Sequence, residues 1–172
     1  DGFSLKNESV NEDTRTYVAW CWKESATSGF DIVSYTGNAT ARTLSHSLSA
    51  KPRLIIQKNR AYDGGQWRVQ HRSLGAEKHM ALDATQAVGD ASSVWNDTEP
   101  TTSVFSVGYD TAVNGDGNAC IAYLWSEKQG FSRFGTYEGN GNADGPMIWL
   151  GFRPAFLLWK KTSATENWYI TD

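Results

Sequence analysis

The chain repeats itself out of phase with its own ends, and this restricts the folds open to it more than any other feature. Segment 29–70 runs Gly29-Phe30, Tyr35-Thr36-Gly37-Asn38, Pro52-Arg53-Leu54-Ile55-Ile56-Gln57-Lys58, Trp67-Arg68-Val69. Segment 130–170 runs Gly130-Phe131, Tyr137-Glu138-Gly139-Asn140, Pro154-Ala155-Phe156-Leu157-Leu158-Trp159-Lys160, Trp168-Tyr169-Ile170. Asn38 to Pro52 is 14 residues, as is Asn140 to Pro154, and proline to lysine is six in both. The other half repeats as well. Phe3-Ser4-Leu5, Val10-Asn11 and Val18-Ala19-Trp20-Cys21-Trp22 match Phe105-Ser106-Val107, Val113-Asn114 and Ile121-Ala122-Tyr123-Leu124-Trp125. The chain therefore divides into the back half of one repeat (1–28), a full repeat (29–129) and the front half of another (130–172). An isolated half-repeat exposes unpaired strand edges. The two terminal fragments are thus expected to pair with each other, with both termini inside the sheets, giving one compact unit.

Eight Trp, seven Tyr and 16 Gly against four Pro and two Met read as β structure with short polar breaks. Thr16–Lys23 and Ala119–Ser126 are apolar on both alternating faces, as in strands buried on both sides. Arg53–Lys58 and Ala155–Lys160 are too short for helices and suit central strands. Gln66–His71 alternates Trp67, Val69 and His71 against polar residues, so it reads as half-exposed. Ile32–Tyr35 and Phe134–Tyr137 read as strands ending at Gly-Asn, a turn signal that asks for φ > 0. Asp63-Gly64-Gly65 and Asn114–Asn118 read as turns. The one helical pattern is Ser73–Leu82, where Leu74, Lys78 and Leu82 share a face. The sum is an all-β fold, an antiparallel β-sandwich of jelly-roll type built from the repeat.

A net charge of −3 with no Lys/Arg run offers no footprint for nucleic acid or anionic lipid. No apolar run reaches the ~18 residues of a membrane span. Cys21 and Cys120 fall at non-equivalent repeat positions; two buried free thiols and a single bridge both remain open.

At its anchors the chain resembles a repeated module of unknown function found in virion structural and tail-associated proteins of marine tailed phages. The residues that carry the resemblance are Gly29-Phe30, Pro52-Arg53-Leu54-Ile55-Ile56-Gln57-Lys58-Asn59-Arg60, Trp95-Asn96-Asp97-Thr98-Glu99-Pro100-Thr101, Val113-Asn114, Ile121–Trp125, Tyr137–Gly141, Asp144-Gly145-Pro146 and Leu150-Gly151-Phe152-Arg153-Pro154-Ala155. It covers essentially the whole chain. The resemblance implies residence on a virion, contact with neighbouring modules of the same protein, and adhesion to glycans of a host cell surface. It carries over no catalytic residue. Three readings stay open: a non-catalytic, lectin-like module, a purely structural spacer, and a glycan-degrading tail-spike domain.

Internal comparison separates scaffold from site. Residues shared by both copies are architectural, as Trp67 and Trp168 suggest. Trp95, Tyr62, Tyr109, Trp149 and Trp159 are unshared or have no second copy to compare with. Sugar C–H faces pack on exposed aromatic rings while polar groups fix orientation. Trp95, beside Asn96 and Asp97 in a turn-rich loop, is the first candidate platform, against the alternative of a tryptophan folded back under an Asx turn. Tyr62, His71, Tyr109 and Trp149 complete the candidate set. Asp110, Asn114, Asp116 and Asn118 place four oxygen ligands within nine residues, a set Ca²⁺ accepts. They lack the spacing and closing Glu of an EF-hand, and a solvated turn explains them equally. His46, His71 and His79 have no zinc-site spacing, and no nucleophile elbow is present. Paired carboxylates for glycoside cleavage depend on separation in space, which sequence does not display. Asn7, Asn38 and Asn96 open glycosylation sequons that a bacterial host would leave unused.

Overall fold

The computed structural model describes residues 2–172. Its regular elements are the strands β1 Phe30–Thr36, β2 Arg42–Ser45, β3 Leu54–Asn59, β4 Arg68–His71, β5 Lys78–Ala81, β6 Gly89–Asp90, β7 Val104–Val107, β8 Ala119–Trp125, β9 Leu157–Lys160 and β10 Trp168–Thr171. Two four-residue helices, α1 Ser92–Trp95 and α2 Thr111–Asn114, lie between them. The protein is mostly β. Six strands form an antiparallel sheet in the order β1-β8-β3-β4-β5-β6, and β2-β7 and β9-β10 form separate antiparallel pairs.

β8 is central, as its two apolar faces predict. It pairs with β1 from Phe30↔Trp125 to Thr36↔Ala119, and with β3 from Leu54↔Trp125 to Asn59↔Cys120. Strand alternation then sorts the side chains onto two faces. Ile55, Ala122 and Leu124, with Val33 and Tyr35, point to one face, where Leu44, Phe105 and Val107 of β2–β7, Val94 and Trp95 of α1, and Val113 of α2 cover them. The large side chains Ile55, Leu124, Phe105, Val107, Val94, Trp95 and Val113 are no more than 1% exposed. Each such side chain contributes about 1.5–3 kcal/mol by leaving water. The opposite face carries Ile56, Val69 and Met80, with Leu54, Trp67, Tyr123 and Trp125 around them. Trp168 of β10 docks here and donates its Nε1–H to the Ala81 carbonyl at 2.7 Å.

Three expectations fail. Thr16–Lys23 forms no strand and is exposed, although its partner in the repeat, β8, is the most central strand. β8 gains its place by hydrogen bonding on both edges, whereas among the described residues no strand is hydrogen-bonded to Thr16–Lys23. The N-terminal segment accordingly lies outside the sheets, whereas the C-terminal one ends in the β9–β10 pair. Phe134–Tyr137 is irregular for the same reason: no strand among the described residues pairs with it. Ser73–Leu82 is no helix; it is a 3₁₀ turn, Arg72–Leu74, running into β5. Gly75 breaks it at φ 87°, a value that glycine alone adopts without strain. The Gly37-Asn38 turn also works differently from expectation. Positive φ falls on Ala39 (52°). Gly37 is required because a Cβ there would lie 2.0 Å from the Gly115 carbonyl oxygen.

Both cysteines are free. Cys120 is buried in the sheet, and Cys21 is exposed, which corrects the expectation of two buried thiols.

Candidate functional site

Among the described residues, large exposed apolar side chains crowd into 2–28 and 130–172. Between them only Tyr62 (44% exposed) and Tyr109 (59%) remain. These two tyrosines come from loops distant in sequence, yet they line one shallow cleft of about 570 Å³. Gly64, Gly65, Gln66, Arg68, Ser93, Asp110, Thr111 and Ala112 complete its walls.

The construction of the cleft follows from the end of β3. Asn59 is fully buried there. Its Oδ1 accepts from the backbone N–H groups of Ala61 (3.0 Å) and Tyr62 (3.1 Å), which turns the chain and fixes the first wall. Its Nδ2 donates to the Thr111 carbonyl at 2.7 Å, which fixes the second. An amide with its donor and acceptor both spent in this way is rigid. The Tyr62 ring rests against Gly65, where a Cβ would approach Tyr62 Cδ1 to 2.6 Å. The Gly65 carbonyl accepts from Lys58 Nζ. Lys58 in turn stands 5.8 Å from the Trp67 ring centroid. On the other wall, Asp110 caps α2: its Oδ1 accepts from Ala112 N–H at 2.7 Å.

Arg68, which lines the cleft, has a buried Nε that makes no hydrogen bond within the described residues, as does His79 Nδ1 on the adjacent strand outside the cleft lining. Burial holds the His79 imidazole below its usual range, and the Arg68 charge pushes the same way against the pull of Asp110 and Asp90. The cleft thus offers two aromatic faces, one guanidinium, one primary amide (Gln66), the Ser93 and Thr111 hydroxyls and one carboxylate.

The remaining candidates disperse. Trp95 is 0% exposed, at the centre of the core. The surface-platform expectation for it is therefore corrected: helix α1 turns its ring inward, and Asn96 and Asp97, both left-handed, reverse the chain behind it. Asn96 and Asp97 are exposed but have lost their aromatic partner. His71 is half-buried at the end of β4, where its Nδ1 accepts from Ser73 N–H and caps the 3₁₀ turn. Trp149 is 78% exposed and lines a second, larger depression of about 680 Å³ with Lys51, Arg53, Lys128 and Arg133. Two of those cations are committed to Glu127, Arg53 at 3.4 Å and Arg133 at 3.1 Å, and Lys51 pairs with Glu99 at 2.8 Å.

The oxygen-rich loop is also divided by the fold. Asp110 faces the cleft and caps α2. Asn114 is fully buried. Its Oδ1 accepts from Asn38 N–H, and its Nδ2 donates to Asn38 Oδ1, the Thr40 carbonyl and the Gly108 carbonyl. These bonds commit both ends of that buried amide to the scaffold. Asp116 is exposed and Asn118 half-buried. No group of three or more His, Cys, Asp or Glu among the described residues is placed to hold a metal ion.

Sequence reasoning reached Tyr62, Tyr109 and Asp110 but missed Asn59 and Arg68. The one available signal for Asn59 was a polar residue closing an apolar strand just before a turn-rich stretch.

A family model described as a domain of unknown function (DUF7483) matches residues 1–172. No curated protein and no solved structure matches the chain.

Proposed function

The chain belongs to the DUF7483 family of domains of unknown function, and from that premise we propose that it is a non-catalytic carbohydrate-binding module whose site is the Tyr62–Tyr109 cleft. One observation carries the reading. The only two large apolar side chains that the 29–129 segment leaves exposed meet in a single cleft beside a guanidinium and an amide. Sugar rings present C–H faces that pack on tyrosine, and hydroxyls that bond to Arg68, Gln66 and Asp110. A shallow, open cleft suits an extended polysaccharide better than a small enclosed ligand.

Binding is favoured over cleavage by the carboxylate inventory. Glycoside hydrolysis commonly uses two carboxyl groups ~5–9.5 Å apart. Asp110 is the single carboxylate lining the cleft, and it is engaged as a helix cap. A spacer role is disfavoured by the cleft itself, because packing gains nothing from holding two tyrosines in water.

The wider setting we propose is a virion protein of a tailed phage, with the glycan on a host cell surface and neighbouring modules of the same protein alongside. The resemblance of the anchor motifs supports this. The sandwich architecture and the internal repeat belong to the same proposal; the support for a two-layer arrangement is the cover that β2–β7 lays over one face of the six-stranded sheet.

The test is a glycan and polysaccharide array probed with the whole chain, in Ca²⁺ and again in EDTA. The expected result is selective binding, weak per site (Kd on the order of 1 mM, made useful by many copies). Tyr62→Ala and Tyr109→Ala should each weaken it by roughly 3–10-fold, the worth of one aromatic contact, with the melting temperature unchanged. Absence of binding from a folded sample, or binding that survives both substitutions, sinks the assignment.

A further inference from the structure

The β9–β10 hairpin copies β3–β4 residue for residue in its register. Align Pro52 with Pro154 and Trp67 with Trp168, and Ile55↔Gln70, Ile56↔Val69 and Gln57↔Arg68 become Leu157↔Thr171, Leu158↔Ile170 and Trp159↔Tyr169. Those are the observed pairs. The N-terminal segment copies the stretch before β8 in the same manner. Asp110 caps α2 by accepting from Ala112 N–H at 2.7 Å, and Asn7 caps the 3₁₀ turn Glu8–Val10 by accepting from Ser9 N–H at 2.8 Å. In the full unit β3 has two partners, β4 on one edge and β8 on the other. β9 has β10 on one edge, and among the described residues no strand pairs with its other edge, which is open.

We propose that the open edge of β9 is the docking site for Thr16–Lys23 of the same chain, which adds as an antiparallel strand just as β8 adds to β3. The register follows from β8–β3, where Leu54↔Trp125, Ile55↔Leu124 and Ile56↔Tyr123 are paired. It sets Trp22 opposite Phe156, Cys21 opposite Leu157, and Trp20 opposite Leu158.

Side chains already stand near that register. The Trp22 and Phe156 ring centroids are 6.0 Å apart at 84°. Trp20 reaches the same phenylalanine at 6.1 Å and 63°, as a diagonal neighbour in an antiparallel pair does. Trp20 Nε1 also donates to Asp172 Oδ2 at 2.9 Å, so the two terminal segments are tied at a second point. The exposed apolar residues support the same occupant. Tyr17, Val18, Trp20 and Trp22 on one segment, and Phe156 and Leu157 on the other, are surfaces of the kind a chain buries against a partner. The matching strand lies beside them in the same chain.

The chain carries a test of its own, because Cys21 is an exposed free thiol and Cys120 is buried. In Leu157→Cys the introduced thiol would face Cys21 across the pair, within the Cα separation that a disulfide spans. Leu157 is 48% exposed, so the variant should fold. Under mild oxidation the expected product is a disulfide between Cys21 and the introduced thiol inside a monomer. It should form at least roughly tenfold faster than the corresponding bond in Leu158→Cys, whose side chain points to the other face. Equal rates in the two variants, no bond in Leu157→Cys, or a bond found only between two chains each overturn the proposal, the last by giving the edge to a second copy. Amide exchange on the unsubstituted chain reads the same pairing without substitution. Slow exchange within Thr16–Lys23 is expected, and exchange at loop rates overturns the pairing.

Discussion

The buried amide of Asn59 donates to the Thr111 carbonyl at 2.7 Å, and its other end holds the Ala61 and Tyr62 N–H groups. One side chain therefore sets the relative position of the Tyr62 and Tyr109 loops. Asn59→Ala removes three hydrogen bonds and leaves buried backbone groups unpaired. The expected cost is about 2–3 kcal/mol, a fall in melting temperature of roughly 5–10 °C for a chain of this size. Glycan affinity should fall as well when measured at a temperature where the variant is fully folded. Unchanged affinity with lowered stability would show that the two walls are held by something else.

Gly65, in the cleft wall, leaves the room that the Tyr62 ring occupies. Its φ is not in the left-handed region, so alanine is acceptable to the backbone, but the added Cβ meets Tyr62 Cδ1 at 2.6 Å. The ring must swing away. Gly65→Ala is expected to weaken glycan binding by roughly 5–10-fold while the melting temperature stays within about 2 °C. Isothermal titration with the best array hit, beside a thermal scan, separates the two effects.

The strands that formed where their sequence pointed are those with at least one hydrogen-bonded neighbour strand. β1, β3, β4, β8 and β9 all fall within or beside the expected segments. The pattern of Thr16–Lys23 is as strong as that of β8, yet it reads out as coil. Alternation reports only that a segment suits a sheet; it does not by itself form the hydrogen bonds to a neighbouring strand. Trp95 shows the converse limit for sites. A tryptophan among Asn, Asp and Thr has the composition of an exposed loop, and a single turn of helix is enough to send it inward. Tyr62 and Tyr109 were legible as unshared aromatics, but their meeting in one cleft depends on the β3–β8 pairing that brings their loops together.

The two halves of the repeat differ at one informative glycine. A Cβ on Gly37 would lie 2.0 Å from the Gly115 carbonyl oxygen, whereas a Cβ on Gly139, the equivalent position, meets nothing within 4 Å. Gly37→Ala is expected to destabilise by at least about 2 kcal/mol, through displacement of the β1–α2 contact. Gly139→Ala should fall within about 0.5 kcal/mol of the unsubstituted chain. Urea denaturation of the pair measures this. A comparable loss at Gly139 would mean that the outer half closes around that turn as tightly as the inner one does.

Acid should weaken the fold through its histidines before its carboxylates. Burial holds His46, His71 and His79 below the usual imidazole range. The geometry agrees for two of them: His46 Nδ1 accepts from Leu48 N–H and His71 Nδ1 from Ser73 N–H, each at 3.3 Å, which a protonated ring cannot do. A group whose folded-state pKa is depressed binds fewer protons folded than unfolded in the interval between its two values. Stability therefore declines as pH falls below about 6.5, and continues to decline until the folded-state values are reached. Each histidine contributes at most about 1.4 kcal/mol per pH unit in that window. Glu166, also depressed, acts lower, below about pH 4.5. Urea midpoints at pH 7.5, 6.5 and 5.5 should fall in that order, and His71→Gln, which keeps an acceptor but cannot titrate, should flatten the decline. A midpoint independent of pH across this range, or an undiminished slope in His71→Gln, would mean that these imidazoles charge as freely in the fold as out of it.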